Sequence, residues 1–252
     1  MYSIDEWEGK EIYNPRNRLN VVMPMAGNGR RLAHLGHKPL VDVAGKPMVQ
    51  WAVESLCIEA RYIFVIQKWW ESELIPILKS LKPDCVIVSL DKPTEGAAQT
   101  VLRAKPFIDN DWPLITVNCD QYLEWEPGKF LAACRPTGCI LTYTMSEKDG
   151  SFCVMRDDGY VVRVAEKEVV SDVGTVGVYY FGRGKDFVRA AEQMISKDIR
   201  VNGEFYILPV YNELIEMGIL PTTYHLTGKR HVWRIGVTRE LEEFLDYKRT
   251  NP

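Results

Sequence analysis

The chain has 252 residues, of which 46% are hydrophobic and 26% charged, and its formal net charge is −3 at pH 7. This composition is typical of a soluble globular protein, and the charge excludes a global basic field that would recruit nucleic acid. No apolar run approaches the roughly 18 residues that a membrane-spanning helix requires, so we expect neither a nucleic-acid nor a membrane partner.

The first 18 residues are polar and aromatic without a period, and we interpret residues 1–18 as an N-terminal arm. The arm has no apolar segment typical of a secretory signal. The six cysteines are scattered and form no CxxC pair. This pattern favours reduced, mostly buried thiols in a cytoplasmic protein over a disulfide framework or a zinc site.

Strand-like and helix-like segments alternate from residue 19 to about residue 135. Short runs rich in β-branched and aromatic residues predict strands at 19–25, 62–67, 85–90 and 113–118. Apolar residues at helical spacing predict helices at 47–60, 72–81 and 96–105. The alternation favours a parallel sheet covered by helices on both faces. The loops after the strands should therefore meet at one edge, where α/β proteins bind ligands.

The pattern changes at about residue 136. Strands are predicted at 139–145, 152–166 and 175–181, with DDG at 157–159 as the turn of a hairpin. Helices are predicted at 186–196, 204–217 and 239–248. Because no linker rich in Pro, Gly or Ser separates the two parts, we predict a single domain over 19–252 whose halves meet near residue 135.

The loop after the first strand, within MPMAGNGRRLAHLGHKPL (23–40), combines two glycines with several cations. Gly27 and Gly29 allow backbone N–H groups to approach a ligand closely, and Arg30, Arg31 and Lys38 add positive charge. Such a loop suits a polyphosphate. A plain tight turn beside surface basic residues is the alternative, since the loop is neither a P-loop nor a complete G-x-G-x-x-G motif.

The fourth strand is followed by Asn118, Cys119 and Asp120. A carboxylate at the carboxyl end of a parallel strand lies beside the first loop if the two strands are neighbours. Mg²⁺ binds through one or two carboxylates and substrate phosphates. Taken alone, an aspartate after a strand is more often a turn residue or a helix cap, but beside a phosphate-binding loop we expect Asp120 to bind Mg²⁺.

Seven motifs in order resemble the sugar-1-phosphate nucleotidylyltransferase superfamily. They are AGNGRRL (26–32), KPL (38–40), GKPM (45–48), GAAQ (96–99), NCD (118–120), EK (166–167) and GVY (177–179). The resemblance covers roughly 19–245 and is closest to small bacterial and phage-type cytidylyl- and nucleotidyltransferases of capsule or surface-glycan synthesis. It implies a Rossmann-like three-layer α/β sandwich of the GT-A type, with a mostly parallel mixed sheet.

The resemblance also implies a reaction and two substrates. The enzyme would transfer NMP from a nucleoside triphosphate to a sugar phosphate or another small phosphomonoester, and would release pyrophosphate with Mg²⁺ as cofactor. Residues 19–135 would form the nucleotide-binding half and residues 136–252 the acceptor-binding half. Identity of the acceptor and formation of a homo-oligomer stay open.

Roles follow from the resemblance motif by motif. Arg31 would stabilise the leaving pyrophosphate, Lys38 would bridge the α-phosphate and the attacking phosphate, and Asp120 would bind Mg²⁺. The nucleotide would contact Met25, Ala26, Gly27, Asn28, Gly29, Arg30, Asp91, Glu95, Gly96 and Ala97. The acceptor would contact Asn118, Glu166, Lys167, Gly177 and Glu204. Two alternatives stay open: a solvated ion pair for Glu166 and Lys167, and core packing for the segment 203–206.

Three departures from the family pattern bear on function. His37 stands where many members have proline before the lysine. Residues 90–96 (LDKPTEG) lack the usual glutamine, and a carboxylate at Asp91 or Glu95 can accept a hydrogen bond from the cytosine amino group, which favours CTP over UTP or dTTP. Arg234 stands near the sequence position where the family usually has its second metal-binding aspartate. It leaves open whether one metal suffices, whether the arginine supplies the charge, or whether the protein is a catalytically degenerate nucleotide-binding subunit.

A glycosyltransferase of the GT-A type is a further alternative. Such an enzyme would require a D-x-D metal motif, and NCD at 118–120 supplies only one carboxylate. The sequence therefore favours the nucleotidyltransferase.

Overall fold

The computed structural model describes residues 19–27, 37–145, 147, 150–228 and 231–251. The predicted arm, 1–18, lies outside these ranges. The first half contains β1 Asn20–Pro24, β2 Asp42–Val43, β3 Lys46–Pro47, α1 Met48–Leu56, β4 Arg61–Gln67, α2 Glu71–Leu81, β5 Val86–Leu90, α3 Ala97–Leu102, α4 Lys105–Ile108, β6 Leu114–Val117, β7 Tyr122–Leu123 and α5 Pro127–Ala133. Short 3-10 helices span Lys38–Leu40 and Lys68–Trp70.

The second half completes the sheet and adds three helices. Its elements are β8 Cys139–Thr144, β9 Ser151–Met155, β10 Val161–Glu166, β11 Val173–Phe181, α6 Gly184–Ser196, α7 Val210–Glu216, β12 Thr222–Leu226, β13 Val232–Trp233 and α8 Thr238–Thr250. Among the described helices, none is both long and apolar enough to cross a membrane.

Nine of the described strands form one mixed sheet in the order β10-β9-β11-β6-β1-β4-β5, with β8 on β11 and β12 on β8. β5, β4, β1 and β6 are mutually parallel, β12 is parallel to β8, and β11 runs antiparallel to both β6 and β8. The predicted mostly parallel mixed sheet is thus confirmed. Six strands, β1, β4, β5, β6, β8 and β12, therefore run in the same direction. They end at the same edge of the sheet, where the candidate site lies.

Helices cover both faces of this sheet. In β4, Ile63 and Val65 pack into the core beneath α3, α4, α6 and α7, whereas Tyr62, Phe64 and Ile66 face α1, α2 and α5. This burial of alternate residues on opposite faces explains why the strand is continuously apolar. The predicted three-layer sandwich is confirmed.

Three predicted helices differ from the structure. The helix predicted over 47–60 ends at Leu56, because Cys57 adopts a left-handed φ of 48°. The helix predicted over 204–217 begins only at Val210, because Asn202 and Gly203 have φ of 50° and 80° and form a turn that pairs Val201 with Glu204. The helix predicted over 96–105 ends at Leu102, and a separate turn of helix follows at Lys105–Ile108. Helix α5 and strand β12 were not predicted.

Candidate active site

Lys38 and Asp120 form an ion pair at the carboxyl edge of the sheet. Their Nζ and Oδ2 atoms are 2.5 Å apart, and the side chains are 23% and 19% exposed. The pair forms because β1 and β6 are adjacent parallel strands, so the loop after β1 returns Lys38 to the point where the chain leaves β6. The structure therefore brings together two of the three residues to which the sequence assigns catalytic roles.

Gly236 lies against this ion pair. A β-carbon at residue 236 would overlap the Asp120 carboxylate and come within 2.7 Å of Lys38 Cε. The Gly236 N–H donates a hydrogen bond of 3.2 Å to the Asp120 carbonyl oxygen. Sequence reasoning did not select Gly236, although it is the glycine of the late segment VWRIGVT (232–238).

The segment 24–39, here called the glycine loop, is described only at its two ends. Met25 donates its N–H to Val65 O at 2.7 Å. Gln67, at the end of β4, donates from Nε2 to the carbonyl oxygens of Ala26 at 3.0 Å and Gly27 at 2.9 Å. Among the described residues, no atom lies within 4 Å of a β-carbon built at Gly27.

Four residues of the predicted site lie outside the described residues: Asn28, Gly29, Arg30 and Arg31. Their predicted roles at the triphosphate, including that of Arg31 at the leaving pyrophosphate, remain predictions.

Gly96 is required by a close contact between two backbone segments. Its φ is 149°, and a β-carbon there would overlap the backbone of Phe205. On either side of it, Phe205 N–H donates to Glu95 O at 2.9 Å and Ala98 N–H donates to Phe205 O at 3.0 Å. The contact gives Gly96 a packing role that is compatible with the predicted position of Gly96 and Ala97 beside the nucleotide.

Both carboxylates predicted to read the base already have cationic partners. Asp91 Oδ1 lies 3.0 Å from Lys68 Nζ, with both side chains mostly exposed. Glu95 Oε2 lies 2.8 Å from Arg200 Nη2, and the Arg200 guanidinium stacks over the Phe205 ring at 3.9 Å. To bind a base, either carboxylate must accept a further hydrogen bond beside its ion pair or break that ion pair.

Glu166 and Lys167 form a largely buried pair. The Glu166 side chain is 4% exposed, accepts a hydrogen bond of 2.7 Å from Ser151 Oγ and lies 3.7 Å from Lys167 Nζ. Lys167 has φ of 61°, a left-handed conformation that non-glycine residues adopt at a cost and often at functional sites. The burial of Glu166 excludes the solvated surface pair.

Gly177 marks an irregularity in β11 where the strand passes Asn118. Its φ is 87°, and it lies where the register with β8 shifts. A β-carbon there would overlap the Asn118 side-chain amide and lie 2.9 Å from Gln121 Oε1. Gln121 is buried, and among the described residues its Nε2 has no hydrogen-bond partner. Gln121 was not selected from the sequence, which distinguishes it only by its position directly after Asp120.

The segment 203–206 divides between core and solvent. Phe205 packs in the core at 1% exposure, which agrees with the core-packing alternative for this residue. Glu204 is exposed and its backbone pairs with Val201. A contact between the Glu204 side chain and an acceptor remains a prediction.

Arg234 is bound by carboxylates. Its guanidinium forms an ion pair with Glu240, with Nε donating to Oε1 at 2.6 Å, and its backbone N–H donates to Oε2 of the same residue at 3.1 Å. Glu147 lies 3.8 Å from Arg234 Nη2. Because Glu240 is buried and neutralises this charge, the geometry gives Arg234 a structural role at the start of α8 and disfavours it as a substitute for a metal ion.

The site offers one carboxylate, Asp120, to a magnesium ion, which its substrate would have to hold for the most part. In the described part of the chain, no three His, Cys, Asp or Glu side chains cluster as a metal site. Asp120 could supply one oxygen, and phosphate and water oxygens would supply the rest, which is usual for Mg²⁺ bound with a nucleotide.

Comparison with protein families matches residues 21–233 to a family model described as the MobA-like NTP transferase domain. Among characterised sequences, the bifunctional protein GlmU of Thermotoga sp. (strain RQ2) is 27% identical over 249 residues, covering 90% of this chain and 54% of GlmU. GlmU of Methanocaldococcus jannaschii is 23% identical over 170 residues, covering 66% and 40%. The chain thus spans about half the length of the curated relatives it matches.

Two solved structures share the fold. The nucleoside-diphosphate-sugar pyrophosphorylase from Vibrio cholerae RC9 superposes with a TM-score of 0.76 at 23% identity, over 90% of this chain and 99% of the other. The inositol-1-phosphate CTP transferase from T. maritima gives a TM-score of 0.72 at 14% identity, over 91% and 94%. These similarities confirm the α/β fold that the sequence predicts.

Proposed function

Because this chain belongs to the family of MobA-like NTP transferase domains, we propose that it transfers NMP from a nucleoside triphosphate to a small phosphomonoester. A sugar phosphate is the favoured acceptor and pyrophosphate is the second product. The observation that carries the proposal is the Lys38–Asp120 pair, which lies at the carboxyl edge of the sheet where the glycine loop ends. This arrangement of a cation, a carboxylate and an adjoining glycine loop suits a triphosphate.

The chemistry requires charge neutralisation more than proton transfer. An acceptor phosphate oxygen attacks the α-phosphorus in line, the bond from the α-phosphorus to the bridging oxygen of the β-phosphate breaks, and the electron pair leaves with pyrophosphate. Lys38 would bind the α-phosphate and the incoming phosphate, two anions that otherwise repel each other. A fixed ammonium group there favours the transition state, in which negative charge is spread over the transferring group.

The ion pair implies an exchange of partners on binding. In the structure Lys38 and Asp120 neutralise each other. On binding, Lys38 would turn to phosphate oxygens and Asp120 would hold Mg²⁺, which supplies further neutralisation of the triphosphate. Gly236 leaves the space that both side chains occupy. Glu166 and Lys167 remain the proposed contacts to the acceptor.

We assign CTP as the favoured nucleotide because Asp91 and Glu95 are acceptor-only groups near the predicted base site. The T. maritima structural relative is described as a CTP transferase, which is consistent with this choice at the level of the fold. Capsule or surface-glycan precursors, and a cytoplasmic location, are the context that the sequence resemblance supports. The juxtaposed Lys38 and Asp120 argue against a degenerate subunit.

The deciding experiment is a pyrophosphate-release assay with Mg²⁺, each of CTP, UTP, dTTP, ATP and GTP, and a panel of phosphomonoesters. We expect release with at least one pair, strongest with CTP, and loss of release in Asp120→Asn. The matched control is Asp111→Asn, an exposed aspartate paired with Lys185, which should retain activity. Absence of pyrophosphate from every pair would contradict the proposed function.

A further inference from the structure

The residue before Lys38 is held by an aromatic stack. The His37 imidazole lies parallel to the Trp70 indole, with ring centroids 4.6 Å apart and an interplanar angle of 7°. The His37 backbone has φ of −72°, within the range that a proline ring imposes. His37 O also accepts a hydrogen bond of 2.8 Å from Leu40 N–H, which closes the turn that carries Lys38.

Trp70 is anchored independently of His37. It ends the 3-10 helix that follows β4 and packs against the core beneath α1 and α2. Its neighbour Trp69 points outward and is 53% exposed. The indole of Trp70 is therefore a fixed surface on which the His37 ring rests.

The end of β4, just before this 3-10 helix, contacts the other end of the glycine loop. Gln67, three residues before Trp70, is 4% exposed and donates from one amide nitrogen to the carbonyl oxygens of Ala26 and Gly27. Two side chains of one short segment thus contact the loop where it leaves β1 and where it delivers Lys38. Neither contact is assigned a role by the proposed reaction.

We propose that Gln67 and Trp70 are positioning residues, which hold the two ends of the glycine loop so that Lys38 faces Asp120. The inference rests on the proposed nucleotidyl transfer. The stack on Trp70 supplies the stiffness that a proline ring would otherwise give at residue 37. Misplacement of a reacting group by about 1 Å costs on the order of a hundredfold in rate, so loss of the stack should lower kcat.

The test compares two adjacent tryptophans and two replacements of one histidine. Trp70→Ala and His37→Ala should each lower kcat by about tenfold to a hundredfold, whereas Trp69→Ala and His37→Pro should stay within about twofold of the wild type. Trp70→Phe, which keeps a ring for stacking, should recover most of the rate. The double variant His37→Ala/Trp70→Ala should lose little more than the worse single variant, because both remove one contact.

Gln67 is tested in parallel. Gln67→Ala should raise KM for the nucleotide, since the Ala26 and Gly27 carbonyl oxygens lose their shared donor. Gln50→Ala is the control, because Gln50 lies on α1 and its amide donates to Glu54 Oε1 at 2.7 Å on the exposed face of that helix. A thermal melt of each variant separates lost positioning from lost folding.

Two outcomes would overturn the inference. One is a wild-type kcat in folded Trp70→Ala, and the other is independent, multiplying losses in the double variant. If the wild-type protein releases no pyrophosphate in any assay, the proposed function is wrong. NMR then tests the stacking of His37 on Trp70 independently of activity. Upfield-shifted His37 ring protons should move to ordinary positions in Trp70→Ala and stay in Trp69→Ala, and retention of the shift in Trp70→Ala would contradict the stack.

Discussion

Gly236 lies directly against Asp120: its N–H donates to the Asp120 carbonyl oxygen at 3.2 Å, and its α-carbon leaves no room for a side chain beside the carboxylate. Gly236→Ala should therefore displace both Asp120 and Lys38. The φ of Gly236 is not positive, so alanine can adopt its backbone conformation and the effect is steric. We expect a loss of roughly a hundredfold in kcat, by analogy with other small displacements of reacting groups.

The measurement is pyrophosphate release with the best substrate pair. Gly128→Ala is the matched control, since a β-carbon there meets no described atom within 4 Å and residue 128 lies in α5. The control should have wild-type activity. A Gly236→Ala protein with wild-type kinetics would show that the Lys38–Asp120 geometry does not matter for the reaction.

Lys38→Ala should remove the positive charge that the transition state requires. Loss of one preorganised donor to developing negative charge typically costs about 3–4 kcal/mol, or roughly a hundredfold to a thousandfold in kcat. The control is Lys46→Ala, which removes an exposed lysine paired with Glu54 at 2.8 Å. Steady-state kinetics decide the point, and near-full activity in Lys38→Ala would refute the assignment of this lysine.

The alternation of strands and helices was enough to predict the parallel strands β1, β4, β5 and β6, and the adjacency of β1 and β6 places Asp120 beside the glycine loop. Periodicity could not predict which charged groups neutralise one another. Glu95 lies 105 residues from Arg200, and this pairing depends on how the segment before α7 docks onto the strand edge. The predicted start of the helix over 204–217 was wrong for a local reason, because Asn202 and Gly203 adopt positive φ.

The contacts of the glycine loop could not be predicted from the sequence either. Gln67 is 40 residues from Gly27, and nothing in the β4 pattern distinguishes its amide from any other polar residue at a strand end. Trp69 and Trp70 look alike in the sequence, yet one is exposed and the other stacks on His37. Only the packing of the chain separates them.

The nucleobase preference should respond to the two carboxylates predicted to lie near the base, Asp91 and Glu95. Glu95→Gln replaces an acceptor-only group with one that can also donate, so it should relax the preference for CTP over UTP by about tenfold, the lower range for one base contact. Asp91→Asn tests the alternative reader. The ratio of kcat/KM for CTP and UTP is the measurement, and an unchanged ratio in both variants removes the argument for CTP.

The half-buried imidazole of His37 should make stability depend on pH. Burial lowers the pKa of His37 from 6.5 to about 4, with Glu73 opposing the shift. Between these values the unfolded chain binds a proton that the folded protein does not, so the free energy of unfolding falls as pH decreases from about 6.5 to about 4. Urea unfolding at several pH values should show a weaker dependence in His37→Pro than in the wild type, and identical slopes would contradict the shift.

The Arg234–Glu240 pair should contribute to stability. Glu240 is buried and contacts both the guanidinium and the backbone N–H of Arg234. Glu240→Gln keeps the shape but removes the charge that Arg234 faces, and should lower the free energy of unfolding by about 1–3 kcal/mol. Glu243→Gln is the control, since its ion pair with Arg239 at 3.4 Å is more exposed and such pairs are worth about 0–1 kcal/mol. Equal urea midpoints for the two variants would show that Arg234 is not held by Glu240, and would reopen a role for its charge at the bound phosphates.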